Sequence, residues 1–145
     1  RGHVSPPDDM RFGGFVDEME ANGFSVGPDN IVCGCRSQEE LAEEVKRRLR
    51  TGSRVDGIFG RNDMLACIAM TAAVQTGIQV PGQLKVIGFD DSSISRLITP
   101  GLSTIQMKKN EIAGAAIDML TQMIAGRQPE DRNFETLLIE RESTK

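Results

Sequence analysis

The sequence predicts an α/β domain built on a parallel sheet, and two observations carry that expectation. Short apolar runs alternate with amphipathic helical stretches, the pattern of strands joined by crossover helices. Two of those runs, VDGIFG at 55–60 and KVIGF at 85–89, are almost continuously apolar, as strands covered on both faces are. The 145 residues, 39% of them hydrophobic, suffice for one packed core.

Residues 2–5 read as the end of a strand, followed by a loop with Asp8 or Asp9 near a helix N-cap. The next helix gathers Phe12, Phe15, Val16 and Met19 on one face and stops at Gly23, where left-handed backbone is cheap. NIVCG, residues 30–34, reads as a short strand. Ser37 with Glu40 three residues on is a capping-box pair, opening a helix whose stripe is Leu41, Val45 and Leu49 and whose stop is Gly52. The strand at 55–60 leads into an Ala- and Met-rich helix, RNDMLACIAMTAAVQTG, with little solvent exposure and an end at Gly77.

The stretch VIGFDDSSISRLITPGLSTI, residues 86–105, then ends a strand in two adjacent carboxylates. A polar segment follows, and Leu-Ser-Thr reads as a turn into a helix. One turn residue is enough to end a strand, so the second acid and the long exit mark a site. A helix over about 109–126, stopping at Gly126, and a final strand within FETLLIERES complete the chain.

The formal net charge of −4 argues against a surface that neutralises phosphates, so this segment is not expected to touch DNA itself. No run of 18 apolar residues and no signal-peptide pattern occurs, which predicts a soluble, cytoplasmic chain. Cys33, Cys35 and Cys67 are odd in number and follow no disulfide framework, which fits a reducing compartment. Cys33-Gly34-Cys35 lacks further ligands, with His3 the sole imidazole, so no metal or other cofactor is expected.

In open parallel sheets, ligands bind beyond the carboxyl ends of the strands. The polar residues expected there are Arg11, then Arg61-Asn62-Asp63, then Asp90-Asp91. Such donors and acceptors suit a hydroxyl-rich ligand, a sugar or a nucleoside. Asp63 also fits an N-cap and Asp91 a turn cap, leaving Asp90 as the site acid; Arg11 and Arg36 equally fit solvated positions. Catalytic patterns are absent: no nucleophile elbow, phosphate loop, dinucleotide fingerprint or metal spacing occurs. Adjacent Asp90 and Asp91 diverge and do not share a proton, so no enzyme is expected.

The run VDGIFGRNDMLACIAMTAAVQTGIQVPGQLKVIGFDD, followed by ITPGLSTI, resembles the effector-binding domain of LacI/GalR bacterial transcriptional regulators. An apolar strand ending in Asn-Asp, an Ala-rich helix, Gly-Ile-x-Val-Pro, Gly-Phe-Asp-Asp and Pro-x-Leu-Ser-Thr occur in family order, with Ser103 replacing the usual first Thr. MRFGGF is similar to the family's Arg-x-x-Gly-Phe helix start.

The resemblance implies a parallel-sheet three-layer sandwich of the periplasmic-binding-protein-like type (type I), mostly one lobe of a two-lobe domain with the effector in the cleft. It assigns 1–105 and 134–145 to the second lobe and the helix at 109–126 to the first. It places Arg11, Asn62 and Asp90 at effector-binding positions, with Arg36 near a position often held by a stacking aromatic. Arg36 shifts the expected ligand towards an acidic or phosphorylated sugar derivative. It implies a homodimer through Cys67, Ile68, Ile94, Leu97 and Ile98, although core packing accounts for Ile68 and Leu97 equally. Operator DNA would be held by an N-terminal helix-turn-helix absent, with most of the first lobe, from this chain. The chain would then be a piece of a longer protein whose 109–126 helix exposes Ile112, Ala116, Met119, Leu120 and Met123 and pairs or swaps. The same fold and edge chemistry also fit an exported sugar-binding protein of a transport system.

Overall fold

The computed structural model describes residues 10–51 and 55–145. The expected strand at 2–5, the Asp8 or Asp9 cap, the Gly52 stop and His3 lie outside these residues. Four strands form one sheet in sequence order: β1 (Gly57–Phe59), β2 (Lys85–Phe89), β3 (Ser103–Met107) and β4 (Thr136–Ile139). The first three run parallel, with Ile58 beside Val86 and Gly88 beside Thr104. β4 adds antiparallel to β3, pairing Leu138 with Ile105.

Strand alternation sends Ile58 and Val86 to one face and Phe59, Ile87 and Phe89 to the other. On the first face lies α3 (Asp63–Gln75), whose Ala66, Met70 and Ala73 meet Val86, Leu84 and Leu102 in the main core. The opposite side of α3 offers Ala69 and Ala72 to Val45 of α2 (Gln38–Arg50), with Leu41 and Leu49 beside it. Alanines on both sides let α3 approach sheet and helix closely, which makes it the middle of the packing and the most buried helix. On the second face, α1 (Met10–Ala21) stacks Phe15 on Phe59, ring centroids 5.3 Å apart and nearly parallel. Phe12, Phe15, Val16 and Met19 are all half-buried, as their spacing predicts. Helix, sheet and helices make the three layers.

The capping signals act as written. Ser37 Oγ accepts the Glu40 amide at 3.1 Å, and the Glu40 carboxylate reaches back to the Arg36 amide at 2.8 Å. Gly23, Gly77 and Gly126 stand just past their helices with φ of 81°, 87° and 75°. Two expectations fail. Residues 30–34 join no ladder among the described residues: Pro28–Asn30 is a short 3-10 turn, and Ile31 leaves it in extended backbone. Leu102-Ser103-Thr104, read as a turn into a helix, instead opens the strand Ser103–Met107 that joins the parallel part of the sheet to β4. Its buried positions are Ser103 and Thr104, so no apolar pattern announces it.

The last long helix, α5 (Lys109–Ile124), buries only Ala115. Its exposed stripe is Ala116, Ile117, Leu120, Met123 and Ile124, with Ile124 80% exposed. Ile112 and Met119, expected on that stripe, are half-buried, on the flank of the helix that carries the buried Ala115. Between β2 and β3, the short α4 (Ile94–Leu97) packs on α3.

Gly88 in β2 is forced by close approach. A methyl group there would overlap Asp63 Oδ1 and lie 2.9 Å from Leu102 Cδ2, both in the packed interior. Gly88→Ala is expected to lower stability by about 1–3 kcal/mol, read from the urea midpoint at unchanged m-value.

Candidate functional site

The carboxyl ends of β1 and β2 open into adjacent loops, and the side chain that joins them comes from α1. Arg11 lays its guanidinium over the Phe89 ring, 4.1 Å from the centroid. It donates from Nη1 to the Arg61 carbonyl at 3.0 Å, and Nη2 lies 3.7 Å from Asp90 Oδ1. With both partners about one-third exposed, the ion pair contributes at most about 1 kcal/mol. Its value is orientation: a charged fork held flat on an aromatic face beside a carboxylate.

Behind Arg61, Gly60 lets the loop pass against Ala66, where a methyl group would come within 2.6 Å of its Cβ. Asn62 then caps α3, its Oδ1 accepting the Leu65 amide at 2.9 Å, so its amide nitrogen is the end that can address a ligand. The expected cap, Asp63, is the next residue and is turned inward, 1% exposed. Its Oδ1 accepts the Thr104 hydroxyl and its Oδ2 the Ser92 amide and hydroxyl. Because Asn62 already takes the cap, Asp63 is released for the interior.

Asp90 and Asp91 both have positive φ, 106° and 44°. Their side chains diverge, as neighbouring residues must. Asp90 faces Arg11 at the edge, while its carbonyl accepts Lys109 Nζ at 2.7 Å. Asp91 does not cap a turn. It is buried and accepts Arg141 Nη2 at 2.6 Å, Gln106 Nε2 at 2.8 Å and Arg96 Nη2 at 3.2 Å. Burial pushes its carboxyl up, but the hydrogen bonds from Arg141 and Gln106 and the charges of Arg141 and Arg96 outweigh it and hold the carboxyl below its ordinary range. Asp91 thereby ties the turn to Arg141, two residues past the end of β4. Beside it lies an open cleft of about 460 Å³, bordered by Asp90, Arg96, Gln106, Lys109 and Glu111.

Arg11, Asn62 and Asp90 are thus brought to one edge. Arg36 is exposed at the start of α2, and none of its contacts among the described residues is with those three. Cys67, Ile68, Ile94 and Ile98 line a second, apolar groove of about 330 Å³ between α2, α3 and α4, while Leu97 stands outside it, 81% exposed. Cys67 forms its floor at 3% exposure, and burial, then the Asp63 charge, pushes its thiol up to about 11. The Cys35 thiol is also raised, by burial and then the Glu40 charge. Among the described residues no group of three or more metal-ligating side chains occurs, and no helix is long and apolar enough to cross a membrane.

Sequence reasoning missed Ser92, Thr104, Gln106, Lys109 and Arg141. Ser92 and Thr104 fall inside the stretch 86–105, but nothing in the sequence says that their hydroxyls turn inward. Arg141 lies 50 residues from Asp91 and carries no local signal.

Residues 1–144 match the periplasmic binding protein-like domain. The HTH-type transcriptional repressor PurR of Salmonella newport is 33% identical over 136 residues, 92% of this chain and 40% of that protein. The ribose operon repressor of Halalkalibacterium halodurans is 30% identical, covering 98% of this chain and 42% of that protein. Among solved structures, a sugar-binding transcriptional regulator of the LacI family from Escherichia coli, complexed with phosphate, superposes with a TM-score of 0.81 at 30% identity, over 98% of this chain and 51% of that one. The chain therefore spans about two fifths of the length of these repressors.

Removing the Arg141 charge should expose the value of the Asp91 anchor. Asp91 has a depressed pKa, so its contribution is present above the ordinary carboxylate pKa and is lost as pH falls through the folded value. Arg141→Gln should cost about 3 kcal/mol at neutral pH and move the acid-unfolding midpoint to higher pH, both measured by urea titration across pH.

Proposed function

This chain belongs to the periplasmic binding protein-like domain family, in the branch of the LacI-family regulators, and on that premise we propose that it is the effector-sensing part of a DNA-binding transcriptional regulator. One observation carries the site: Arg11, held flat on Phe89, stands beside Asp90 and the Asn62 loop at the carboxyl edge of the sheet. The ligand is a small hydroxyl-bearing molecule, a sugar or sugar derivative, read by Arg11, Asn62 and Asp90. Arg36, exposed just before α2, favours an acidic group on it through charge-assisted bonds if the ligand reaches that far. The sugar-linked relatives support that class.

The same reading divides the chain into 1–105 with 134–145 as one lobe and the 109–126 helix as part of the other. The meagre burial of α5 and its apolar stripe support that division. Ile68, Ile94, Leu97 and Ile98, over the Cys67 floor, form the homodimer surface, whose two-fold symmetry suits a palindromic operator. Operator DNA is held by a part of the protein outside this acidic segment, and the protein works in the cytoplasm. Effector binding closes the lobes and shifts the population competent to hold DNA, by as much as its affinities for the two states differ. The regulator reading is preferred to a transport binding protein because the matching relatives are repressors.

The test uses the full-length protein and a panel of neutral and phosphorylated monosaccharides in thermal-shift and calorimetric titrations. Arg11→Ala and Asp90→Asn should each weaken binding of the responding sugar about 10- to 100-fold, the loss of one hydrogen bond to a charged group, with the melting temperature nearly kept. Asparagine tolerates the left-handed backbone at position 90, so fold and contact are separated. Unchanged affinity in both variants would sink the site assignment.

A further inference from the structure

The amides of Asp90, Asp91 and Ser92 each have a different acceptor, two in β3 and one at the start of α3. Asp90 donates to the Ile105 carbonyl at 2.8 Å, Asp91 to Thr104 Oγ1 at 3.3 Å and Ser92 to Asp63 Oδ2 at 2.6 Å. The Ser92 hydroxyl adds to that oxygen at 2.8 Å, and the Thr104 hydroxyl donates to Asp63 Oδ1. Both oxygens of Asp63 are therefore devoted to this turn, directly through Ser92 and at one remove through Thr104. A carboxylate in the interior is costly unless its donors are arranged for it. Here they come from two other segments, the β2–α4 loop and β3, and Gly88 leaves the space through which they meet.

The turn so held needs holding. Two consecutive non-glycine residues with positive φ persist only where the surroundings over-determine them. Its outcome is the direction of Asp90, because Asp91 is drawn inward to Arg141 and Asp90 is left facing Arg11.

We propose that Asp63 is a positioning residue for the ligand edge: through Ser92 and Thr104 it fixes the left-handed Asp90–Asp91 turn and so aims the Asp90 carboxylate at Arg11. The proposal rests on the assignment of Arg11 and Asp90 to effector binding, and its test needs no effector, so each can fail alone.

The experiment is amide hydrogen exchange by NMR on the whole chain, comparing Asp63→Asn with Val45→Ala, a buried site on α2 remote from the turn. Asparagine places an NH2 group against hydroxyl or amide donors, so the Asp91 and Ser92 amides should exchange roughly tenfold faster or more, the loss of one good hydrogen bond. The ladder amides of β1 and β2 should slow or quicken no more than in Val45→Ala at a matched melting temperature. Equal acceleration everywhere in both variants, or unchanged exchange at Asp91 and Ser92, would overturn the proposal. Should Asp63→Asn not fold, Ser92→Ala decides the matter: selective acceleration at Asp91 and Ser92 supports it, and native rates there refute it.

Discussion

The edge of this domain depends on one buried carboxylate. Asp63 sits at the first turn of α3 yet spends both oxygens across the sheet, on Ser92 and Thr104. Through those bonds the ends of β1, β2 and β3 are fixed against one another. The arrangement works because each neighbour has yielded a function. Asn62 takes over the helix cap, Gly88 gives up its side chain and Thr104 turns a hydroxyl inward.

A second, independent tie closes the other side. Ser143, fully buried after β4, accepts the Ser103 amide and donates its hydroxyl to the Val86 carbonyl, while its own carbonyl accepts the Val86 amide. Arg141, two residues earlier, donates to Asp91 and to the Leu102 carbonyl. The end of the chain thus reaches back over the strands and holds β2, β3 and the Asp90–Asp91 turn. Buried polar networks of this kind, when satisfied, favour one arrangement over its close alternatives. That suits the proposed ligand edge at Arg11 and Asp90, and α5, with its exposed apolar stripe, takes no part in the network.

Much of the scaffold was legible because it obeys local rules. The Ser37 cap, the Leu41-Val45-Leu49 stripe, the α3 helix and strand β2 follow from spacing and capping chemistry that act within a few residues. The candidate edge was legible for the same reason, since strand ends in a parallel sheet are where Arg11, Asn62 and Asp90 had to be sought. Failures came where local signals misled. Residues 30–34 carry strand propensity but join no ladder among the described residues, and β3 was hidden because its buried side chains are hydroxyls. The α5 stripe differed in Ile112 and Met119, which are half-buried, because spacing alone does not say which flank of an apolar face is covered.

The sequence by itself determined the α/β class, the order of its helices, the layer-forming alanines of α3 and the three polar strand ends. These depend on periodicity and on residues close in the chain. Only the tertiary structure decided that Asp63 is interior and Asn62 the cap, that Asp91 is neutralised by Arg141, and that Asp90 alone of the pair faces Arg11. Each of those outcomes is a choice between partners far apart in sequence, made by which donors the packed sheet brings within hydrogen-bonding distance, and no local pattern encodes it.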